Sequence, residues 1–474
     1  VNRNEGAERL GLDMNGLQAA CAAVNRAIDA GIMPGAVLGV LHRGETWFYA
    51  AGFADPDPKQ GEPAAVHKDT LYDCASITKV AVTLPLILQL VDEGRITLST
   101  KAADIVPAFG ASGKMAITVG ELLTHTSGLA ADMNLHSCGW SRDQMWGAVL
   151  TSPLSSETGK NVVYSDLGYL TLGRIAEELL QMPLDQAARQ RVFEPLGMLD
   201  STLTPSLEQL GRYAATEYDE EFQGHLCGVV HDEKARALGG VCGHAGLFAT
   251  AGDLLRYAHM WLLEGAVPAP SGQTNEGAAV LTDIEADAGA ASNTETGTAV
   301  AAEASSPAYS LSFAAGASSP AHSLSLAAEA SSSAHSLSPA AEALSPAHSL
   351  SPASGASSSA RIQSPAARAS SPARILSPAA ARTAIKPHTA AIPGANRGLG
   401  WVLKGDRMDA SGDWMSERAY GHTGFTGTSL WIDPAYDLAV VLLTNRVYGG
   451  RSSSVKELRV QVHNAITGAV RDPN

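Results

Sequence analysis

The sequence predicts an α+β fold: one antiparallel sheet flanked by helices, with a mostly helical lobe inserted into it. Three observations carry this. Apolar strand-like runs lie near the start, at Ala36 to Leu41 and Thr46 to Ala51, and return near the end, at Gly398 to Lys404, Thr428 to Asp433 and Leu438 to Thr444. Between them, from Ser76 to about Leu196, helical patterns dominate, with Gly and Pro punctuation. The early and late strands must therefore share a sheet, and the helical stretch forms its own lobe.

The elements follow in order. Leu17 to Ala30 has apolar residues at helical spacing and stops at Gly31. His42-Arg43-Gly44-Glu45 joins the first two strands as a hairpin. Val80 to Val91 is apolar throughout and reads as a buried helix, too short to span a membrane. Leu167, Leu170, Leu172, Ile175 and Leu179 mark a second helix. Tyr420 to Ile432 is strand-like, and a closing helix is expected over about Ser453 to Ile466.

The 474 residues are not uniform. From Pro268 to about Arg382 the composition turns to Ala, Ser and Pro. Residues 305–382 hold six copies of a 13-residue repeat, from Ser305–Ala317 (SSPAYSLSFAAGA) to Ser370–Arg382 (SSPARILSPAAAR). Such a segment buries too little apolar surface to offset its ordering entropy, and its prolines break helices. We expect 286–382 to be a disordered surface insert within a domain formed by 1–285 and 383–474. A solenoid is the rival reading, but a Pro-containing 13-mer without an apolar ridge suits no stacking unit. Roughly 370 residues remain for one two-lobed domain with a substantial core.

The net charge of −15, with no basic cluster, excludes a nucleic-acid partner. Five cysteines (Cys21, Cys74, Cys138, Cys227, Cys242) show no metal spacing and suggest reduced thiols. The sequence starts at Val1, which we read as a trimmed start; a cytoplasmic and an exported protein both stay open. The oligomeric state is left open. His322, His335 and His348 recur with the repeat and make a poor metal site. No metal and no cofactor are expected.

The chemistry centres on Ser76-Ile77-Thr78-Lys79. At a helix start this spacing puts a hydroxyl and an amine on one face, one turn apart. A serine hydroxyl needs a neighbouring base, and a buried lysine loses pKa and can serve. A second Ser-x-x-Lys, Ser453 to Lys456, falls in the closing surface helix. Cys74 lacks a paired base and reads as packing. There is no G-x-S-x-G elbow.

Tyr164-Ser165-Asp166 and His422-Thr423-Gly424 lie downstream in that order. Together these motifs resemble the serine β-lactamase and penicillin-binding-protein superfamily, in its class C β-lactamase-related branch of esterases, D,D-peptidases and muropeptide amidases. Asp69 to Tyr72, the Glu121 to Gly128 stretch (ELLTHTSG), Gly243 to Phe248 and Gly398 to Trp401 fit the same branch. The resemblance covers about residues 15–285 and 383–470. It implies a β-lactamase/transpeptidase-like fold with the site in the cleft between lobes.

The resemblance further implies Ser76 as nucleophile, Lys79 as proton acceptor or relay, and Tyr164 as a second proton-transfer group. His422 would hydrogen-bond Tyr164 or the substrate and titrate near its ordinary pKa. Gly424 would let substrate backbone approach, and Ser76 and Phe425 would lend the oxyanion N–H groups. Asp166 and Thr423 complete the expected substrate-binding set, and His125 is expected to make a structural hydrogen bond.

Two departures matter. Asp166 stands where asparagine is usual, and His422 where lysine is usual. Together they remove positive charge and disfavour carboxylate-bearing substrates. Asp166 also favours a charged Lys79, which shifts base work toward Tyr164. The function expected is a serine hydrolase acting through an acyl-enzyme on an ester or amide of a small or cell-wall-derived (muropeptide) substrate. The alternatives are a β-lactamase or D-alanyl-D-alanine carboxypeptidase, and a non-catalytic penicillin-binding sensor.

Overall fold

The structure, a computed structural model, describes residues 10–59, 61–269 and 373–471. Helix α1 (Met14–Asp29) starts at an Asp13 cap whose carboxylate accepts from the Asn15 N–H, and it buries Leu17, Ala20, Cys21, Val24 and Ala27. Strands β1 (Gly35–His42) and β2 (Glu45–Asp55) form the expected hairpin. Its two turn residues, Arg43 (φ 52°) and Gly44 (φ 81°), are both left-handed, the twist that a two-residue hairpin requires.

The late strands are β4 (Val402–Leu403), β5 (Tyr420–Thr423), β6 (Ser429–Asp433) and β7 (Leu438–Thr444), after the short β3 (Ala64–Ala65). They join the early ones in a seven-stranded antiparallel sheet of order β3-β2-β1-β7-β6-β5-β4. The first and last strands thus meet at its centre, with Ala36 opposite Thr444 and Val40 opposite Val440. Every residue of β1 and β7 is buried, because both faces are covered. Val37, Leu41, Val441 and Leu443 face the core shared with the helical lobe. Leu38, Val40, Val440 and Leu442 face α1 and the closing helix.

The apolar run after Ser76 is buried from Ile77 to Leu90, but it is not one regular helix. Lys79–Thr83 is a π turn, and α2 (Leu84–Asp92) follows. Pro85 explains the break. The Leu84 N–H bonds back to the Lys79 carbonyl, and Pro85 has no N–H to offer Val80. The buried Tyr257 hydroxyl, on the helix Ala251–Leu262, donates to that Val80 carbonyl instead. A π turn of this kind often marks a functional position. Helix α3 (Asp166–Leu180) is capped by Ser165, and α4 (Ala251–Leu262) covers the sheet.

The last copy of the repeat departs from the disorder expected of the insert. Its residues from Ala373 onward are part of the fold. The Val267 N–H donates to the Ala373 carbonyl, and Arg374 bridges Ala266. Ile375 and Leu376 are buried. Ser377 caps α5 (Pro378–Ala384) and donates from its N–H and hydroxyl to the Asp92 carboxylate. This copy alone pairs Ile with Leu ahead of Ser-Pro, which gives it an apolar anchor. The earlier copies, His322, His335 and His348 included, lie outside the described residues. Helix α6 (Lys456–Gly468) closes the domain against α1. Among the described residues no helix is long and apolar enough to cross a membrane.

Candidate active site

The nucleophile loop is set by a buried carboxylate. Asp73 accepts from the N–H groups of Ala75 (2.8 Å) and His231 (2.7 Å). Ala75 is left-handed, at φ 45°, and its carbonyl accepts from the Thr78 hydroxyl at 2.6 Å. This sharp turn delivers Ser76 half-buried at the start of the helix. Its N–H has no hydrogen-bond partner among the described residues.

Lys79 is fully buried, and its Nζ has three acceptors: Ser76 Oγ at 3.0 Å, the His244 carbonyl at 3.0 Å and Asp166 Oδ1 at 2.8 Å. Three acceptors are what an ammonium's three protons need. Burial pushes the Lys79 pKa down, but Asp166 and Tyr164 outweigh it, and the net direction is up. Burial alone therefore does not turn this lysine into a free base. Asp166, at the first turn of α3, is pushed up by burial and pulled down further by Lys79, His244 and Lys234.

Four residues to which the sequence reading gave no role, Asp132, Asp232, Lys234 and His244, extend this pair into a network. Lys234 lies 3.4 Å from Asp166 Oδ2, 3.3 Å from Asp232 and 3.0 Å from Asp132. Asp232 Oδ1 meets His244 Nε2 at 3.1 Å, and the His244 backbone returns to Lys79. Asp166, Asp232 and His244 bring ligand-type atoms within 4.8 Å of one another. The two ammoniums and the imidazole already occupy those carboxylate oxygens, so the group reads as a charge network. Only His244 had a sequence signal, inside the Gly243 to Phe248 motif.

Tyr164 is half-buried beside this network. Its ring centroid is 4.9 Å from Lys79 Nζ, 4.5 Å from the His125 ring and 5.9 Å from the His422 ring. Arg397, also absent from the sequence reading, places its guanidinium carbon 5.8 Å from the same centroid. It is buried beside Asp406, with Nε 3.4 Å from the carboxylate. His125 is structural, as expected: its Nδ1 accepts from the Ser165 N–H at 3.0 Å.

His422 differs from its expectation. Its Nδ1 is 2.9 Å from the Thr423 carbonyl, and its Nε2 is buried without a partner among the described residues. Burial, then Lys79 and Arg397, push its pKa down to about 3. It is a neutral imidazole at physiological pH and does not titrate near its ordinary value. Gly424 also has a different reason. A Cβ there would lie 2.5 Å from the Cys74 carbonyl oxygen, and closer still to the Thr428 hydroxyl. The glycine lets the end of β5 press against the nucleophile loop. Thr423 is half-buried on that edge, and Phe425 stands 49% exposed, its N–H free of partners among the described residues.

The rival candidates fall away. Ser453 donates to the Arg446 carbonyl, and Lys456 is exposed. All five thiols are free, and burial holds that of Cys74 well above its ordinary pKa.

Comparison with known proteins finds several relatives of this chain. A 26% identity to the N-acetylmuramyl-L-alanine amidase of Bacillus subtilis runs over 459 residues, 89% of this chain and 79% of that protein. Penicillin-binding protein 4 of Amycolatopsis lactamdurans is 33% identical over 245 residues, 50% of this chain and 61% of its own length. An Escherichia coli relative, also 33% identical, is matched over 51% of its length, so the chain spans only about half to two-thirds of these two. The solved structure of a penicillin-binding protein homologue from Caulobacter crescentus superposes with a TM-score of 0.60 at 17% identity, over 97% of this chain and 99% of that one. The β-lactamase family profile matches residues 22–316 and 283–465, and the chain belongs to the β-lactamase family.

Proposed function

We propose that this protein is a serine hydrolase that cleaves an ester or amide of a small or cell-wall-derived substrate through an acyl-enzyme on Ser76. The observation that carries the reading is the 3.0 Å contact between Lys79 Nζ and Ser76 Oγ, beside two N–H groups without partners among the described residues. Ser76 Oγ attacks the carbonyl carbon. The oxyanion takes hydrogen bonds from the N–H groups of Ser76 and Phe425. Lys79 already carries its three protons, so it orients Oγ and offsets charge, while the Tyr164 hydroxyl acts as a relay: its oxygen takes the serine proton as its own proton moves on to the leaving oxygen or nitrogen. The leaving group departs with that proton as its bond to the carbonyl carbon breaks, and Tyr164 holds one hydroxyl proton throughout. Water attacks the acyl-enzyme, and Ser76 regains its proton.

The charge near the nucleophile favours a neutral scissile region. Three carboxylates (Asp132, Asp166, Asp232) face two ammoniums (Lys79, Lys234), and His422 is neutral. A substrate carboxylate finds less attraction here than in a site with two lysines. Among cell-wall substrates, the Bacillus subtilis relative, aligned over most of this chain, supports an amide joining a muramyl sugar to its peptide. Intact mass after exposure to p-nitrophenyl butyrate, muropeptides and benzylpenicillin tests this. A transient adduct on Ser76 with released product supports a hydrolase. An adduct that persists with every probe means a sensor, and no adduct with any of them contradicts the reading.

A further inference from the structure

The peptide group that offers the Phe425 N–H has a second end, the Gly424 carbonyl, and an arginine is bonded to it. Arg459, on α6, donates from Nη2 to the Gly424 carbonyl at 3.2 Å and to the Thr428 carbonyl at 2.8 Å. Its Nε is shielded from water and has no hydrogen-bond partner among the described residues. The Gly427 N–H also bonds the Gly424 carbonyl, at 3.1 Å. The next carbonyl, that of Phe425, accepts from Arg446 Nε at 2.9 Å. Two hydroxyls tie this turn to the nucleophile loop: Thr426 to the Asp73 carbonyl at 2.7 Å and Thr428 to the Cys74 carbonyl at 3.1 Å.

The geometry has a chemical consequence. An amide's C=O and N–H share one π system. A charged donor on the oxygen draws electron density toward it and strengthens the N–H as a donor at the far side. We propose that Arg459 is a positioning residue for the reaction at Ser76, which aims and polarises the Phe425 N–H through the Gly424 carbonyl. The inference rests on the assignment of Ser76 and Phe425 made above. Burial, then Arg446, lowers the Arg459 pKa to about 10, which leaves it a cation at neutral pH. Arg459 touches neither substrate nor Ser76; it acts through the peptide. Its spacing from every motif in the sequence hides it.

The test is the infrared band of a 13C-labelled acyl carbonyl on Ser76, in wild type, Arg459→Lys and Arg459→Met, with esterase kinetics alongside. A hydrogen bond to the acyl oxygen lowers the band's frequency. Arg459→Met is expected to raise it and to lower the acylation kcat/KM about tenfold, since a donor is weakened rather than removed. Arg459→Lys, which keeps the cation, is expected to restore much of both. The loss in Arg459→Met should shrink with a thionoester, whose sulfur depends less on the oxyanion donors; a merely structural defect would lower both substrates alike. A folded Arg459→Met with the wild-type band and the same loss on both substrates overturns the inference. If that variant does not fold, Arg459→Gln takes its place, with the same two outcomes. Intact mass separates the two levels: no adduct on wild-type Ser76 removes the proposed function, and this inference with it. An adduct with an unmoved band removes only the role of Arg459.

Discussion

Lys79, fully buried, and Asp166, 18% exposed, form an ion pair, Nζ to Oδ1 at 2.8 Å, beside the serine that Lys79 touches. The pair fixes the lysine as an ammonium and sets what else the site must do. It also makes Asp166 the most informative single position to change.

Asp166→Asn removes one charge from a network of three carboxylates and two ammoniums. It leaves Lys79 and Lys234 less compensated, and leaving the buried Lys79 ammonium without its carboxylate costs roughly 3 kcal/mol. Urea unfolding should show that loss. The same change should raise acylation by benzylpenicillin relative to a neutral ester by about tenfold, because a repulsive carboxylate has gone. An unchanged ratio would contradict the charge argument for substrate preference.

Lys234→Met should act through Asp166. Its carboxylate loses one of two cations and can rotate on Lys79, so kcat should fall several-fold while KM stays close to wild type. A rise in KM alone would mean that Lys234 contributes to binding instead.

His422 is expected to stay neutral well below its ordinary range. Its folded pKa of about 3 lies below the unfolded value of about 6.5. The unfolded chain thus binds the extra proton first. Stability from this residue is complete above pH 6.5 and is lost as pH falls from there toward 3, at up to about 1.4 kcal/mol per pH unit. NMR of the labelled imidazole should show no titration of His422 between pH 7.5 and 4.5. A midpoint near 6.5 would contradict the buried, neutral assignment.

Deleting residues 286–369 should leave esterase kinetics and the melting temperature close to wild type. Deleting 286–381 should not. It removes Ile375 and Leu376 from the core and the Ser377 cap of α5, a loss of about 4 kcal/mol. Equal melting temperatures for the two deletions would contradict the packing of the last repeat copy.

Much of the fold was legible because its signals are local. The hairpin announces itself through Arg43-Gly44, and the central strand pair through two apolar runs that can only bury each other. The motifs that flank Ser76, Tyr164 and His422 placed these residues in one chain order, and the structure brings their side chains into one cluster around Lys79. What stayed hidden depends on contacts between distant segments. Lys234 and Arg397 look like ordinary surface charges until the fold surrounds them with Asp166 and Tyr164. The state of His422 follows from burial and two neighbouring cations, which spacing does not report. Pro85 was visible, but its effect on the turn after Lys79 needed Tyr257, far along the chain. In the repeat array, composition masked the one copy whose Ile375-Leu376 pair has a place in the core.

The most direct measurement is p-nitrophenyl butyrate hydrolysis by the wild type and by Ser76→Ala, side by side. Turnover by the wild type that vanishes in the variant is the expected result. Turnover that persists in Ser76→Ala would place the chemistry elsewhere and contradict the account.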